Sequence, residues 1–212
     1  MKFSKAYIGI PLIVVTVVLL AFVIWMTFFS PEDGNTSQSS GPATSVSFSE
    51  PIAPFSGVNQ NNEPFSTDDL KGKTWIADFI FTNCPDVCPP MTFNMQTLQE
   101  KVEEAGLDVT FVSFTVDPER DSPEVLTEFG TKFQADFSNW HFITGYTHEE
   151  VKEYSKTSFK SSVQKLEDTF MHGVHFFLVR PDGYINSYYV GNIDPPFDQI
   201  IADIKAVQEK AN

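Results

Sequence analysis

Thr74-Trp75-Ile76-Ala77-Asp78-Phe79-Ile80-Phe81-Thr82-Asn83-Cys84-Pro85-Asp86-Val87-Cys88-Pro89-Pro90 carries the only two cysteines of this 212-residue chain. Its first half, to Phe81, is apolar and β-prone and reads as a buried strand. From Met91 to Glu104 the apolar positions recur at helical spacing. Both thiols therefore fall where a strand turns into a helix. A helix N-terminus offers unpaired backbone N–H groups and the positive end of the macrodipole, and both favour thiolate over thiol. Thiolate is the form that redox exchange and metal binding both need. Three residues separate the cysteines. Once the turn is helical, positions i and i+4 share a face, so both sulfurs can converge on one point.

Downstream, the pattern alternates. Gly106 ends the first helix, and Asp108–Val116 is a second strand rich in β-branched and aromatic residues. Asp117-Pro118-Glu119-Arg120-Asp121-Ser122-Pro123 is a loop whose last two residues start a helix running to about Phe133. Trp140–Thr144 is a short strand, and Thr147 can cap the helix after it. His175–Val179 is a strand, Pro181-Asp182-Gly183 a turn, and Tyr184–Val190 its hairpin partner. Asp194-Pro195-Pro196 opens a final helix. Such alternation predicts an α/β fold with a partly parallel sheet and helices on its faces. Ligands in these sheets bind beyond the carboxyl ends of strands, and Cys84 and Cys88 lie just past such an end.

Upstream, residues 7–29 contain no charge and reach the roughly 20 apolar residues that span a bilayer. Lys2 and Lys5 precede the run, which places the N-terminus in the cytoplasm and the rest outside. The run is longer than a signal-peptide core and ends in Trp25-Met26-Thr27-Phe28-Phe29, without a small-residue cleavage site. The expected organisation is a membrane anchor over 1–29, a Ser/Thr/Gly/Pro-rich linker over 30–50 and one domain over 51–212. No internal repeat is evident, and the 21 phenylalanines read as core. Beyond the two N-terminal lysines stand 12 basic against 28 acidic residues. That balance argues against nucleic acid, whose phosphates require basic surfaces.

Outside the cytoplasm, two cysteines usually mean a structural disulfide. A bridge across so short a loop constrains the unfolded chain little, which weakens that reading. Metal binding needs a further ligand. His148 begins a helix beside Glu149 and Glu150 and reads as a solvated face; His141 reads as a core or edge residue of a short strand. His172 falls in the loop before a strand and His175 inside it, so spacing alone favours His172 only slightly. Asp86 and Asp117 are candidate weak oxygen ligands, although turn formation and capping account for them as well. Met91 and Met95 read as core packing rather than thioether ligands. Met171, beside His172, is not so readily assigned to packing.

Three segments taken in order resemble the Sco/SenC family: Cys84-Pro85-Asp86-Val87-Cys88-Pro89, then Asp117-Pro118-Glu119-Arg120-Asp121, then a histidine shortly before a strand ending in Pro181-Asp182-Gly183. The resemblance covers roughly residues 45–210 and includes the N-terminal anchor. It implies a thioredoxin-like fold with an N-terminal transmembrane anchor and a copper-binding role in assembling cytochrome c oxidase. It also implies metal ligands at Cys84, Cys88 and His172. In the family the ligand histidine stands nine residues before the proline of the Pro-Asp-Gly turn, which His172 satisfies and His175 does not. Two departures are Gly173, where the family often has Ser or Thr, and His175 itself.

Two sulfurs and an imidazole suit both Cu(I) and Cu(II). Zinc, the inorganic rival, wants a fourth protein ligand in a closed site. The expected partner is the copper-containing subunit of cytochrome c oxidase, met on the outer face of the membrane. The alternative is a thiol–disulfide oxidoreductase, with Cys84 and Cys88 cycling to reduce a partner's cysteines. A thiol peroxidase is a weaker third reading, since the threonine before Cys84 stands two rather than three residues away.

Overall fold

The computed structural model describes residues 48–211. The apolar run at 7–29 and nearly all of the expected linker lie outside the described residues. Among the described residues, no helix is long and apolar enough to cross a membrane.

In chain order the elements are β1 (Ser56–Val58), β2 (Pro64–Ser66), a 3-10 turn (Thr67–Leu70), β3 (Trp75–Ile80), α1 (Cys88–Glu104), β4 (Thr110–Thr115), α2 (Pro123–Lys132), β5 (Trp140–Ile143), α3 (His148–Phe159), β6 (Gln164–Lys165), β7 (Phe170–Met171), β8 (His175–Val179), β9 (Ile185–Val190) and α4 (Phe197–Ala211). The central sheet has the order β5-β4-β3-β8-β9. β3 runs parallel to β4, and β4 parallel to β5. β8 lies antiparallel to β3, with β9 hairpinned back on it. All six residues of β3 are buried, as expected of a central strand covered on both faces, which reads as a continuous apolar run.

The faces can be assigned from the side chains. Trp75 and Phe79 of β3 and Phe114 of β4 meet Phe159 of α3 at 5.2 to 6.4 Å between ring centroids. Strand alternation sends Asp78, and its register partner Ser113 on β4, to the opposite face. There Trp140 Nε1 donates to Ser113 Oγ at 3.0 Å, and Phe142 packs on Phe129 of α2. Asp78 is anomalous in this core. It is fully buried, and neither carboxylate oxygen has a hydrogen-bond partner. A buried polar group left unpaired costs about 1–3 kcal/mol. Burial pushes its acidity to about 7, with the nearby Ser113 hydroxyl and His172 pulling the other way.

The expected elements are present, with strand ends shorter by one or two residues. α1 begins at Cys88 rather than Met91, because Pro89 and Pro90 fit the first turn of a helix, where a missing N–H costs nothing. Thr147 forms a full capping box with Glu150. The two small hairpins, β1–β2 and β6–β7, are additions to the sequence reading. Phe48, three residues before the expected start of the domain, is 8% exposed and packs in the core.

Candidate metal centre

The turn from β3 to α1 holds Cys84, and Cys88 is the first residue of α1. His172 follows β7 and leads toward β8. Across a separation of 84 residues, Cys88 Sγ lies 3.1 Å from His172 Nε2. One ligand atom from each of Cys84, Cys88 and His172 lies within 4.8 Å of the other two. Cys88 is fully buried, while Cys84 and His172 are 8% and 9% exposed. The cluster is therefore largely buried, with Cys84 and His172 each retaining a little exposure. His172 Nδ1 lies 3.0 Å from the Gly173 carbonyl. A carbonyl only accepts, so Nδ1 donates to it, which orients the ring and leaves Nε2 as the atom that faces the sulfurs. Phe81 holds the ring from the side, edge-on at 5.7 Å. A Cβ at Gly173 would meet Ser161 Oγ at 2.5 Å, so the small residue lets this loop pass close to its neighbour.

Both cysteines are free thiols. The helix end supplies less than its usual set of donors. Pro89 and Pro90 have no N–H, and Met91 N bonds back to Val87 O at 3.1 Å. Cys88 N–H remains, and it donates to Cys84 Sγ at 3.4 Å. Of the helix's own first N–H groups, Cys88's alone is shown reaching a sulfur, because the prolines that start the helix also remove its donors; the Asp86 backbone, in the turn before it, also lowers Cys84. Cys84 is held down to about 3, chiefly by the hydrogen bond from the Cys88 thiol, with burial opposing and His172 assisting. Cys88 is pushed far above the ordinary thiol range by that same bond and by burial. The pair shares one proton, held on Cys88, with a thiolate on Cys84.

The other candidates fall elsewhere. His175 does not join the cluster: its ring packs edge-on against Tyr188 at 5.2 Å, and burial lowers its basicity. Asp86 is exposed, and Asp117 forms an ion pair with Arg120 at 3.2 Å; neither belongs to the cluster. Met91 and Met95 are fully buried in the core, and Met171 is half exposed beside His172. His141 is half-buried against Phe65. His148 corrects the sequence reading. It is buried, not solvated: it bonds the Val116 carbonyl through Nδ1 at 2.9 Å and packs on Phe170.

The sequence reading missed Asp121. Its carboxylate accepts from Thr82 N at 3.1 Å, from Thr82 Oγ1 at 2.6 Å and from Thr115 Oγ1. Thr82 stands two residues before Cys84, so Asp121 ties the cysteine turn to the end of β4. The second aspartate of the Asp117–Asp121 loop was the available signal, but a tie across 39 residues leaves no local pattern.

The family model described as SCO1/SenC matches residues 45–209. The SCO1 protein homolog of Bacillus subtilis (strain 168) is 44% identical over 157 residues, covering 73% of this chain and 81% of that protein. The structure of BsSco, described as a member of the Sco family of cytochrome c oxidase assembly proteins with a disulfide switch, aligns with a TM-score of 0.71 and 43% identity. It covers 75% of this chain and 94% of that one. The crystal structure of Arabidopsis thaliana ScoI with copper bound gives a TM-score of 0.64 and 28% identity, over 76% of this chain and 99% of the other. With a family match across the whole described domain and a close relative over most of its length, this chain belongs to the SCO1/SenC family.

Proposed function

We propose that this protein is a membrane-anchored copper metallochaperone that assists assembly of the copper centre of cytochrome c oxidase. The observation that carries the reading is the convergence of two sulfurs and one imidazole nitrogen within 4.8 Å, on side chains largely removed from water. Copper is the cargo. Soft sulfur suits Cu(I), and the imidazole lets the same site hold Cu(II). Cys84, held toward the thiolate, is ready to bind; Cys88 gives up its proton as the cation arrives; His172 presents Nε2 beside them. ScoI of Arabidopsis thaliana, with copper bound, supports the choice of metal. BsSco, from a family of oxidase assembly proteins, supports the choice of partner, the copper-containing subunit of cytochrome c oxidase. The uncharged run at 7–29 serves as the anchor in this proposal, with the domain on the outer face. Protease added to spheroplasts should then degrade the domain, and full protection would put it on the other side.

The test is titration of the reduced full chain, in detergent, with Cu(I) and Cu(II). The expected result is about one copper per chain with a thiolate-to-Cu(II) charge-transfer band. Cys84→Ser and Cys88→Ser should each abolish tight binding. Absence of the band, with no copper retained after desalting, would sink the reading.

A thiol–disulfide oxidoreductase is the second reading. It is favoured by the Cys84 thiolate beside a protonated Cys88, the charge distribution of a nucleophile with its resolving thiol. Such an enzyme needs no imidazole, which makes His172 the residue that separates the two.

A further inference from the structure

Asp78 is a fully buried carboxyl with no hydrogen-bond partner on either oxygen, and neither the fold nor the site chemistry accounts for it. It sits in mid-β3, six residues before Cys84, on the face opposite α3. It makes no hydrogen bond to any member of the site, and is coupled to it only through space, by charge. The titratable groups whose charges reach it are Cys88 from α1 and His172 from the loop before β8. Ser113 on β4 is neutral; its hydroxyl accepts from Trp140 and offsets only part of the effect of burial on Asp78. The β8 neighbours Phe177 and Leu178 carry no charge. Ile76 and Ile80 occupy the positions two before and two after it on the same face, both fully buried. An aliphatic residue at 78 would continue that row and would remove an unpaired buried polar group. Stability therefore gives no reason for an acid there. The other buried carboxylates behave differently: Asp121 accepts three hydrogen bonds and Asp117 has Arg120.

We propose that Asp78 is a positioning residue for charge: acting through the field and not as a ligand, its buried carboxyl sets the preference of the Cys84–Cys88–His172 site for a dication over a monocation. The inference rests on the copper reading. Two thiolates and a neutral imidazole balance a dication and leave a monocation with one negative charge in excess. A carboxylate within the same water-poor core attracts the dication twice as strongly. In the metal-free protein the carboxyl can keep its proton and so avoid the cost of a buried charge. A cation above it favours the ionised form, which then holds the cation in return. The counter-charge is thus present when the dication is and withdrawn when it leaves.

The experiment compares the wild-type full chain with Asp78→Asn, which keeps the shape and removes the charge. Cu(II) and Cu(I) affinities are measured separately by competition with chelators. The expected outcome is a Cu(II) affinity lowered on the order of tenfold relative to Cu(I). Proton release on Cu(II) binding near neutral pH should also fall by as much as one proton per copper. A second measurement needs no variant: the infrared difference spectrum of wild-type protein on Cu(II) loading should lose a protonated-carboxyl carbonyl band. Wild-type protein that takes up no copper overturns the copper reading and this inference with it. Wild-type protein that binds copper without loss of the carbonyl band, or a folded Asp78→Asn with an unchanged Cu(II)-to-Cu(I) ratio, overturns this inference alone.

Discussion

His172 and His175 stand three residues apart and do different work, because the chain leaves its loop and enters β8 between them. His172 presents Nε2 to Cys88 with its ring oriented by the Gly173 carbonyl, whereas His175 packs among Tyr188 and Phe177. His172→Ala is therefore expected to lose Cu(II) binding by more than the 10–100-fold that removal of an outer-shell partner costs. His175→Ala should keep the copper band and lose about 0.5–1.5 kcal/mol of folding stability with its aromatic contacts. Competition titration and urea unfolding of both variants check this. Reversed effects would reassign the ligand. The same His172→Ala protein separates carrier from reductase. Its cysteines should still cycle between thiol and disulfide in a thiol-trapping assay, yet it should fail to support oxidase assembly. Full oxidase activity from the folded variant would replace the carrier reading with the redox one.

At the scale of elements, the site is a meeting of three connections: the β3–α1 turn, the loop after β4 and the loop before β8. Asp121 binds the first two together through two hydrogen bonds from Thr82, and a third, from Thr115, holds it to the end of β4. Asp121→Asn leaves one acceptor oxygen where two are used and turns an amide toward donors. It should destabilise the fold by about 1–3 kcal/mol and weaken copper binding although all three ligands remain. Unfolding measurements and copper competition on this variant test the tie, and unchanged copper affinity would mean the cysteine turn holds its shape without it. This tie also marks the limit of what the sequence makes legible. The β3–α1 transition is readable because its signals are local: an apolar run, a helical period and prolines at a helix start. The same holds for the Thr147 cap and the Pro181-Asp182-Gly183 hairpin. The histidines are harder. His148 looks solvated beside two glutamates, and only the Val116 carbonyl and Phe170, distant in sequence, bury it. Spacing barely separates His172 from His175, since the choice depends on which one the chain carries to Cys88. The β1–β2 and β6–β7 strands are two or three residues long, too short to carry a period.

Over the whole molecule, the acidic balance, a formal net charge of −14, hides ionisable groups that pull stability in opposite directions with pH. Asp182, Glu149 and Glu150 are held below the usual carboxylate range by surface hydrogen bonds, and what they add is lost as the solution turns acid. His141 and His175, lowered by burial, act in the same sense. Asp78 acts in the other. Its carboxyl is raised from 3.8 to about 7 by burial, so the folded state binds a proton that the unfolded chain releases. Its stabilising proton is fully held below pH 3.8 and is lost as pH rises through about 7. Within that window stability falls by at most about 1.4 kcal/mol per pH unit from this group. The wild-type curve sums all of these effects, but the difference between wild type and Asp78→Asn isolates one. Unfolding of the reduced, metal-free proteins by urea at a series of pH values should show Asp78→Asn gaining on wild type as pH climbs from about 4 to about 7, then running level. Added Cu(II) stabilises the folded state by mass action, and with a cation favouring the ionised carboxylate the wild-type decline should flatten. A difference that stays constant across the whole range would mean that Asp78 titrates alike in the folded and unfolded chain, and that the core holds it as an ordinary ionised carboxylate.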